Sequence, residues 1–262
     1  MHVYDGRYPA VAGARLRPPD ASADQYLALR TRLGLQRTVC VTPSTYGTDN
    51  RSMLAAVAAL GASARGVAVV DLSASPQHLQ QLHACGVRGI RLNLSMGVSS
   101  SAAMLRPLAE RIAPLGWHVQ LIVPPDRLAA LAADLDALPV DFVLDHFAKI
   151  APSALGSPVH RQVLRWLERG RGWVKLSGAY LVSEAAGHDG SDAGRLARSF
   201  LEAGPARVVW GTNWPHATAS AGLHGWPDDA ALLALLEAWC GGTAALRAVL
   251  VDNPARLYDF PA

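Results

Sequence analysis

The chain has 262 residues, is 50% hydrophobic and carries a formal charge of +3, enough apolar material for one large α/β domain or two small ones. Its 24 cationic side chains are scattered without a basic run interleaved with aromatics, which argues against a nucleic-acid partner. No apolar run approaches the roughly 20 residues that span a bilayer and no basic-then-apolar leader opens the chain; Cys40, Cys85 and Cys240 show no CxxC spacing, so a cytoplasmic protein without a disulfide framework or zinc knuckle is expected.

In chain order, the stub His2-Val3-Tyr4 reads as a first strand, and helical spacing follows over 23–30. Short β-branched runs then recur at 38–41, 66–70, 89–92, 119–123, 142–144, 173–176 and 207–210. They are continuous in polarity rather than alternating, as strands of a parallel sheet covered on both faces read. Segments with helical spacing lie between them, at 50–60, 76–83, 104–112, 127–138, 159–167 and 193–203, and two more follow at 228–239 and 243–250. Eight strands alternating with helices predict an α/β chain folded as a single-domain (β/α)8 TIM barrel over 1–262, with a doubly wound open sheet as the structural alternative. No GxGxxG or GxxxxGK[ST] is present, so a nucleotide-binding sheet loses support.

In such a barrel the chemistry lies at the carboxyl ends of the strands. Those positions hold His2 and Asp5; Ser44, Thr45 and Tyr46; Asp71; Arg91 and Asn93; Asp145 and His146; Ser177 and Tyr180; and Asn213, Trp214 and His216. Each also has an ordinary reading. A strand-end histidine can simply cap a loop, Tyr46 and Trp214 suit a core or pocket wall, and Asp49 and Asn50 suit the cap of the next helix. Arg91 lies inside an apolar strand, where its guanidinium needs an internal carboxylate or an anionic ligand. His118, at the start of a strand, reads as structural.

Nine stretches in one order carry a resemblance across essentially the whole chain: HVYD at the start, YGTDN at 46–50, ARGVAVVD at 64–71, GVRGIRLNL at 86–94, GWHVQL at 116–121, LDH at 144–146, WVKLSG at 173–178, WGTNWPH at 210–216 and DNPARLY at 252–258. The chain resembles the amidohydrolase superfamily, and within it the TIM-barrel hydrolases that include the 2-pyrone-4,6-dicarboxylate lactonases. The resemblance implies a first-strand His-x-His, a sixth-strand Asp-His, and an eighth-strand aspartate acting as general base. His2 matches the second histidine of the pair, His146 the sixth-strand histidine, and Asn213 the place of the aspartate. The first histidine has no counterpart, from which either an upstream start or a truncation is expected.

On this resemblance, hydrolysis of a small lactone or ester is expected, weakened because Asn213 cannot accept a proton at neutral pH. His2, His146 and Asn213 form the expected catalytic set, with the histidines polarising or orienting. Tyr46, Arg91, Lys149, Tyr180, Trp214 and His216 are the expected substrate contacts. Other branches place zinc at the histidines and the aspartate; here His2 and His146 are the remaining metal candidates and no cofactor is expected. Ser95-Met96-Gly97 stands where the lactonase has a basic pair, and Leu181 where relatives often carry arginine, so an anionic small molecule with at most one carboxylate is the expected partner. Two alternatives stand beside this reading: a degenerate member that binds a ligand without turnover, and an aromatic-acid decarboxylase-like barrel. Oligomeric state has no sequence signal.

Overall fold

The computed structural model describes residues 1–95, 99–183 and 191–261. The chain forms two compact units, Met1–Gln120 with Asn213–Trp226, and Leu121–Thr212 with Pro227–Ala262. Both are α/β, and among the described residues there are seven strands.

The first unit holds α1 (Ala23–Arg32), β1 (Thr38–Val41), α2 (Arg51–Leu60), β2 (Ala64–Ala68), α3 (Pro76–Ala84), β3 (Val87–Asn93) and α4 (Leu105–Ile112). β1 pairs β2 in parallel, with Thr38 opposite Ala64, and β2 pairs β3 in parallel, with Gly66 opposite Val87. Parallel neighbours need a crossover, and α2 and α3 supply it. Helix starts follow from local chemistry. Ser22 and Gln25 form a reciprocal capping box on α1, while Ser75 caps α3 and Pro76 takes its first position. α4 buries Leu105, Leu108, Ala109 and Ile112, the i, i+3, i+4, i+7 stripe of a core-facing helix.

The expected first strand is not formed. Tyr4 makes only an isolated antiparallel bridge with Ala21. Met1 nevertheless borders β1 in a parallel manner: its nitrogen donates to the Val39 carbonyl at 2.9 Å, and its carbonyl accepts from the Val41 nitrogen at 2.9 Å. The stub is too short to extend that ladder, because the chain turns at Asp5 to Gly6. Asn50 also departs from expectation. It precedes α2 without capping it by its side chain; instead its amide accepts from Thr42 Oγ1 (2.7 Å) and the Val69 nitrogen (2.9 Å), and donates to the carbonyls of Val69 (2.9 Å) and Thr48 (3.0 Å). The buried amide thus ties the chain leaving β1 to the chain leaving β2. Asp49 does accept from the Arg51 nitrogen at 3.1 Å, in the first turn of α2.

β4 (His118–Ile122) begins in the first unit and ends in the second. His118 is buried, as its structural reading requires, and a Cβ on Gly89 would lie 2.6 Å from its imidazole, so glycine at 89 makes room for the ring.

The second unit continues with α5 (Pro125–Ala130), α6 (Ala132–Asp136), β5 (Phe142–Leu144), α7 (Pro158–Glu168), β6 (Gly172–Ser177), α8 (Ser191–Ala203) and β7 (Val208–Gly211). β5 pairs β6 and β6 pairs β7, both in parallel, with Phe142 opposite Gly172 and Val174 opposite Val208. The single helix expected over 127–138 is broken at Leu131, whose nitrogen bonds the carbonyls of both Arg127 and Leu128. After β7 come α9 (Ala217–Ser220), which belongs to the first unit, and α10 (Asp229–Cys240), capped by Asp228 and belonging to the second. The helix expected over 243–250 is α11 (Thr243–Arg247), followed by a π-helical turn at Ala248–Asp252 and then α12 (Asn253–Tyr258). Asn253 accounts for the start of α12: its amide donates to the carbonyls of Pro205 (2.8 Å) and Val208 (2.7 Å), anchoring the helix at the entry to β7. At the entries to the same strands, Asp141 accepts from Trp173 Nε1 at 2.8 Å and pairs with Arg207 at 2.5 Å, while Arg207 and Arg256 lie 4.8 and 5.2 Å from the Trp173 ring. No helix among the described residues is long and apolar enough to cross a membrane.

His160 in α7 gives the second unit a pH dependence. Its Nδ1 accepts from the Gly156 nitrogen (3.1 Å), which leaves Nε2–H to donate to Ser199 Oγ (2.9 Å). Burial first, and then the charge of Arg161, hold the imidazole below its ordinary 6.5. The unfolded chain therefore takes up this proton more readily than the folded one, so the stability His160 contributes is present above pH 6.5 and is lost as pH falls below it. Urea unfolding at pH 7.5 and 5.5 should show a larger acid loss in the parent than in His160→Gln, whose amide cannot titrate.

Candidate functional site

The second unit places His146 and Lys149 on an unusual piece of backbone. His146, Phe147, Ala148 and Lys149 have φ of 53°, 57°, 55° and 57°, four consecutive non-glycine residues in the left-handed region. Each such residue costs about 1–2 kcal/mol, so the turn persists only because its surroundings over-determine it. The Lys149 nitrogen donates to the His146 carbonyl at 2.8 Å and the Ile150 nitrogen to the Phe147 carbonyl at 3.1 Å. Phe147 is fully buried, its ring 5.6 Å from that of Trp239 in α10. β6 supplies two further restraints. Lys175 and Ser177 are two residues apart and so share a face of the strand. Lys175 Nζ lies 2.6 Å from Asp145 Oδ1, and His146 Nδ1 lies 3.2 Å from the Ser177 carbonyl and 3.0 Å from its hydroxyl. Two adjacent residues are thereby clamped by one strand.

A carbonyl oxygen only accepts, so the bond to Ser177 assigns the proton of neutral His146 to Nδ1 and the basic lone pair to Nε2. Asp145, almost fully buried, is spoken for by Lys175. The same carboxylate bears on Tyr258, whose phenol is pushed well above its ordinary range by burial and, secondarily, by Asp145. Lys149 pairs with no carboxylate among the described residues, and burial pulls its ammonium below the ordinary lysine value. Tyr180 sits half-buried in a short turn, Ala179–Leu181, that follows Ser177 and the left-handed Gly178; Leu181 closes that turn.

The first unit gathers the other expected residues. The His2 nitrogen donates to the Trp214 carbonyl at 2.9 Å, and His2 Nδ1 lies 2.7 Å from the Val41 carbonyl, which again assigns the basic lone pair to Nε2. Tyr46 is buried, and its hydroxyl accepts from the Asp5 nitrogen (2.7 Å) and donates to the Asp5 carbonyl (3.1 Å). It latches the N-terminal backbone, a role its position in YGTDN did not disclose. Tyr4, Ala21 and Tyr46 form a small core on which Tyr8, Trp214 and Ala217 pack, with Trp214 5.4 Å from Tyr26. Arg91 is buried at 5% exposure and its Nη1 reaches the Thr42 carbonyl at 3.3 Å. Burial drives the Tyr4 phenol well above its ordinary range, while the Arg91 charge opposes that rise. Asn213 and His216 both have left-handed backbone, φ 62° and 60°, closed by a bond from the His216 nitrogen to the Asn213 carbonyl at 2.9 Å. Asparagine tolerates this conformation better than most residues, which is an ordinary reason for its presence.

Of the remaining strand-end residues, Ser44 and Asn93 meet at 2.8 Å, whereas Asp71 accepts from Ser73 and Asp5 pairs with Arg7, both in exposed turns. Met96 and Gly97, expected to replace a basic pair, lie outside the described residues. The contributions of Asn50, Lys175 and Ser177 were not foreseen as structural clamps; the alternation inside WVKLSG, with a charge and a hydroxyl two apart in an apolar strand, was the available signal.

A model of the amidohydrolase family, described as "Amidohydrolase", matches residues 1–260. The chain belongs to the amidohydrolase family. It is 34% identical over 270 residues to a 2-pyrone-4,6-dicarboxylate hydrolase of Comamonas testosteroni, spanning 98% of this chain and 88% of the relative. It is 30% identical over 263 residues to the D-galactarolactone isomerase of Agrobacterium fabrum, spanning 99% and 89%. Among solved structures, an apo protein of Agrobacterium tumefaciens superposes with a TM-score of 0.90 at 29% identity, covering 100% of this chain and 94% of that one. Among the described residues no group of three His, Cys, Asp or Glu side chains is arranged to hold a metal ion.

The left-handed turn is open to a direct test. Ala148→Gly relieves about 1–2 kcal/mol of backbone strain against a lost buried methyl and added chain entropy, of similar total size. Thermal unfolding should therefore place it within about 1 kcal/mol of the parent, whereas Ala148→Val, crowded and β-branched, should lose about 2 kcal/mol or more.

Proposed function

We propose that this family member is a lactonase-like hydrolase that opens a small lactone or related carboxylic ester, with the (β/α)8 fold expected from its sequence. The parallel strand order within each unit supports the fold, and two relatives named for lactone chemistry support the substrate class. The observation that carries the reading is the restrained turn after β5, which holds His146 with Nε2 as the basic atom and brings Lys149 three residues behind it.

The roles follow from the donors and acceptors. A neutral imidazole tied through Nδ1–H offers an acceptor, so His146 and His2 are suited to orient water or take up its proton, and less to polarise the ester carbonyl expected of them. Carbonyl polarisation and anion contact fall to the cations Arg91 and Lys149. Asn213 orients water through its amide but cannot hold the proton that an aspartate would. Tyr180, Trp214 and His216 are assigned to substrate contact, and Tyr46 to holding the backbone of Asp5. With a single cation from each of Arg91 and Lys149, a substrate bearing one carboxylate is favoured over a dicarboxylate.

If only the base was lost, Asn213→Asp should raise lactone hydrolysis by about 10²-fold or more; an unchanged rate with a ligand that demonstrably binds would move the protein to the non-catalytic binding reading. The isomerase relative favours one further reading, ring migration without net addition of water. Turnover in H₂¹⁸O separates them: hydrolysis places one heavy oxygen in the product, isomerisation none.

A further inference from the structure

The chain has 22 arginines and only two lysines, and both lysines bear on the turn after β5: Lys149 belongs to it and Lys175 faces it from β6. Lys175 lies between the buried residues Val174 and Leu176, and its own side chain is only 13% exposed. Its ammonium reaches Asp145 at 2.6 Å. Asp145 cannot move independently of its neighbour: it is the last residue before the left-handed run, and its nitrogen donates to the Leu121 carbonyl at 2.9 Å. Other groups of this unit bear on the pair. Ser177 from β6 bonds His146, Tyr258 from α12 stands near enough to Asp145 for the carboxylate to raise its phenol, and Lys149 closes the turn through its nitrogen.

We propose that Lys175 is a positioning residue for the turn at 146–149. By binding the Asp145 carboxylate it fixes the point at which the chain enters the left-handed conformation, and with Ser177 two residues on it sets the orientation of the His146 ring. A compact ammonium suits this role, because it neutralises a buried carboxylate at one point without the width of a guanidinium fork. The role assigned to Lys175 is exerted through Asp145 and not by contact with the reacting atoms. The inference rests on the hydrolase reading for its kinetic consequence, but not for its structural one.

The test therefore has two arms. In the first, side-chain ¹⁵N spectra of histidine at one fixed pH should report His146 of the parent protonated at Nδ1. Lys175→Met should lose that signature or average it between tautomers, and Lys175→Arg should retain more of it. In the second, with any lactone that the parent turns over, Lys175→Met should lower kcat by about tenfold or more with KM within about threefold, and Lys175→Arg should fall between the two. Because Lys175 acts through Asp145, the Asp145→Asn/Lys175→Met double variant should lose no more than either single change. That double variant also guards against misfolding, since it leaves no uncompensated buried charge. An unaltered His146 signature in folded Lys175→Met, or losses that add in the double variant, would overturn the proposal. If the parent hydrolyses no lactone, the function reading fails while the spectroscopic arm still decides this one.

Discussion

A carboxylate that is 2% exposed must be compensated where it stands, and in this chain the compensating charge comes from the middle of a strand. The Asp145–Lys175 pair has two consequences. It permits an acidic residue at the end of β5, where the apolar run stops and irregular backbone begins. It also couples that point to β6, from which Ser177 grips the next residue. The left-handed run from His146 to Lys149 can then be borne, since the strain of four residues is set against an ion pair, two turn hydrogen bonds and the burial of Phe147. The handedness of the run matters because a right-handed continuation after β5 would send both His146 and Lys149 elsewhere.

The first unit solves a similar problem with neutral groups. Beyond β2 both backbone groups of Val69 are met by the Asn50 amide, which also bonds the Thr42 hydroxyl and the Thr48 carbonyl on the chain leaving β1. Tyr46 does the same for Asp5, and His2 for Val41. The polar side chains behind the strand ends are thus engaged largely with backbone. This is the expected economy where loops are shaped by buried polar atoms, because each atom left unbonded costs about 1–3 kcal/mol. It also means that several residues with the look of catalytic groups are fixed in place by scaffold duties on one of their atoms.

Much of the architecture was legible in the residues. The seven apolar runs became seven strands displaced by at most two residues at either end, because a strand buried on both faces must be continuously apolar and glycine or charge ends it. Ser and Pro marked the starts of α3 and α7 for the reasons that make them caps. What escaped were features decided by tertiary context. Tyr4 pairs with Ala21 instead of extending a strand, Leu131 splits a helix whose spacing is unbroken in sequence, and Asn50 resembles a cap yet bonds two strands. A candidate site can be named in the sequence by residue type and not by its hydrogen-bonding atoms. His2 and His146 could be picked out by position, but only the carbonyls of Val41 and Ser177 decide which imidazole nitrogen keeps its lone pair. A motif names a side chain, whereas its chemistry depends on the partner of the other nitrogen.

The turn at 146–149 also has a consequence for how such a protein can vary. Its two i to i+3 hydrogen bonds give it about three residues per revolution, so the Cβ atoms of His146 and Lys149 emerge at nearly the same azimuth, one above the other. Adding or removing one residue between them would swing Lys149 through about 120° while leaving every side chain chemically intact. Substitution is therefore the tolerated mode of change in this segment and length change is not: its spacing of three is a matter of phase, held by handedness as much as by composition.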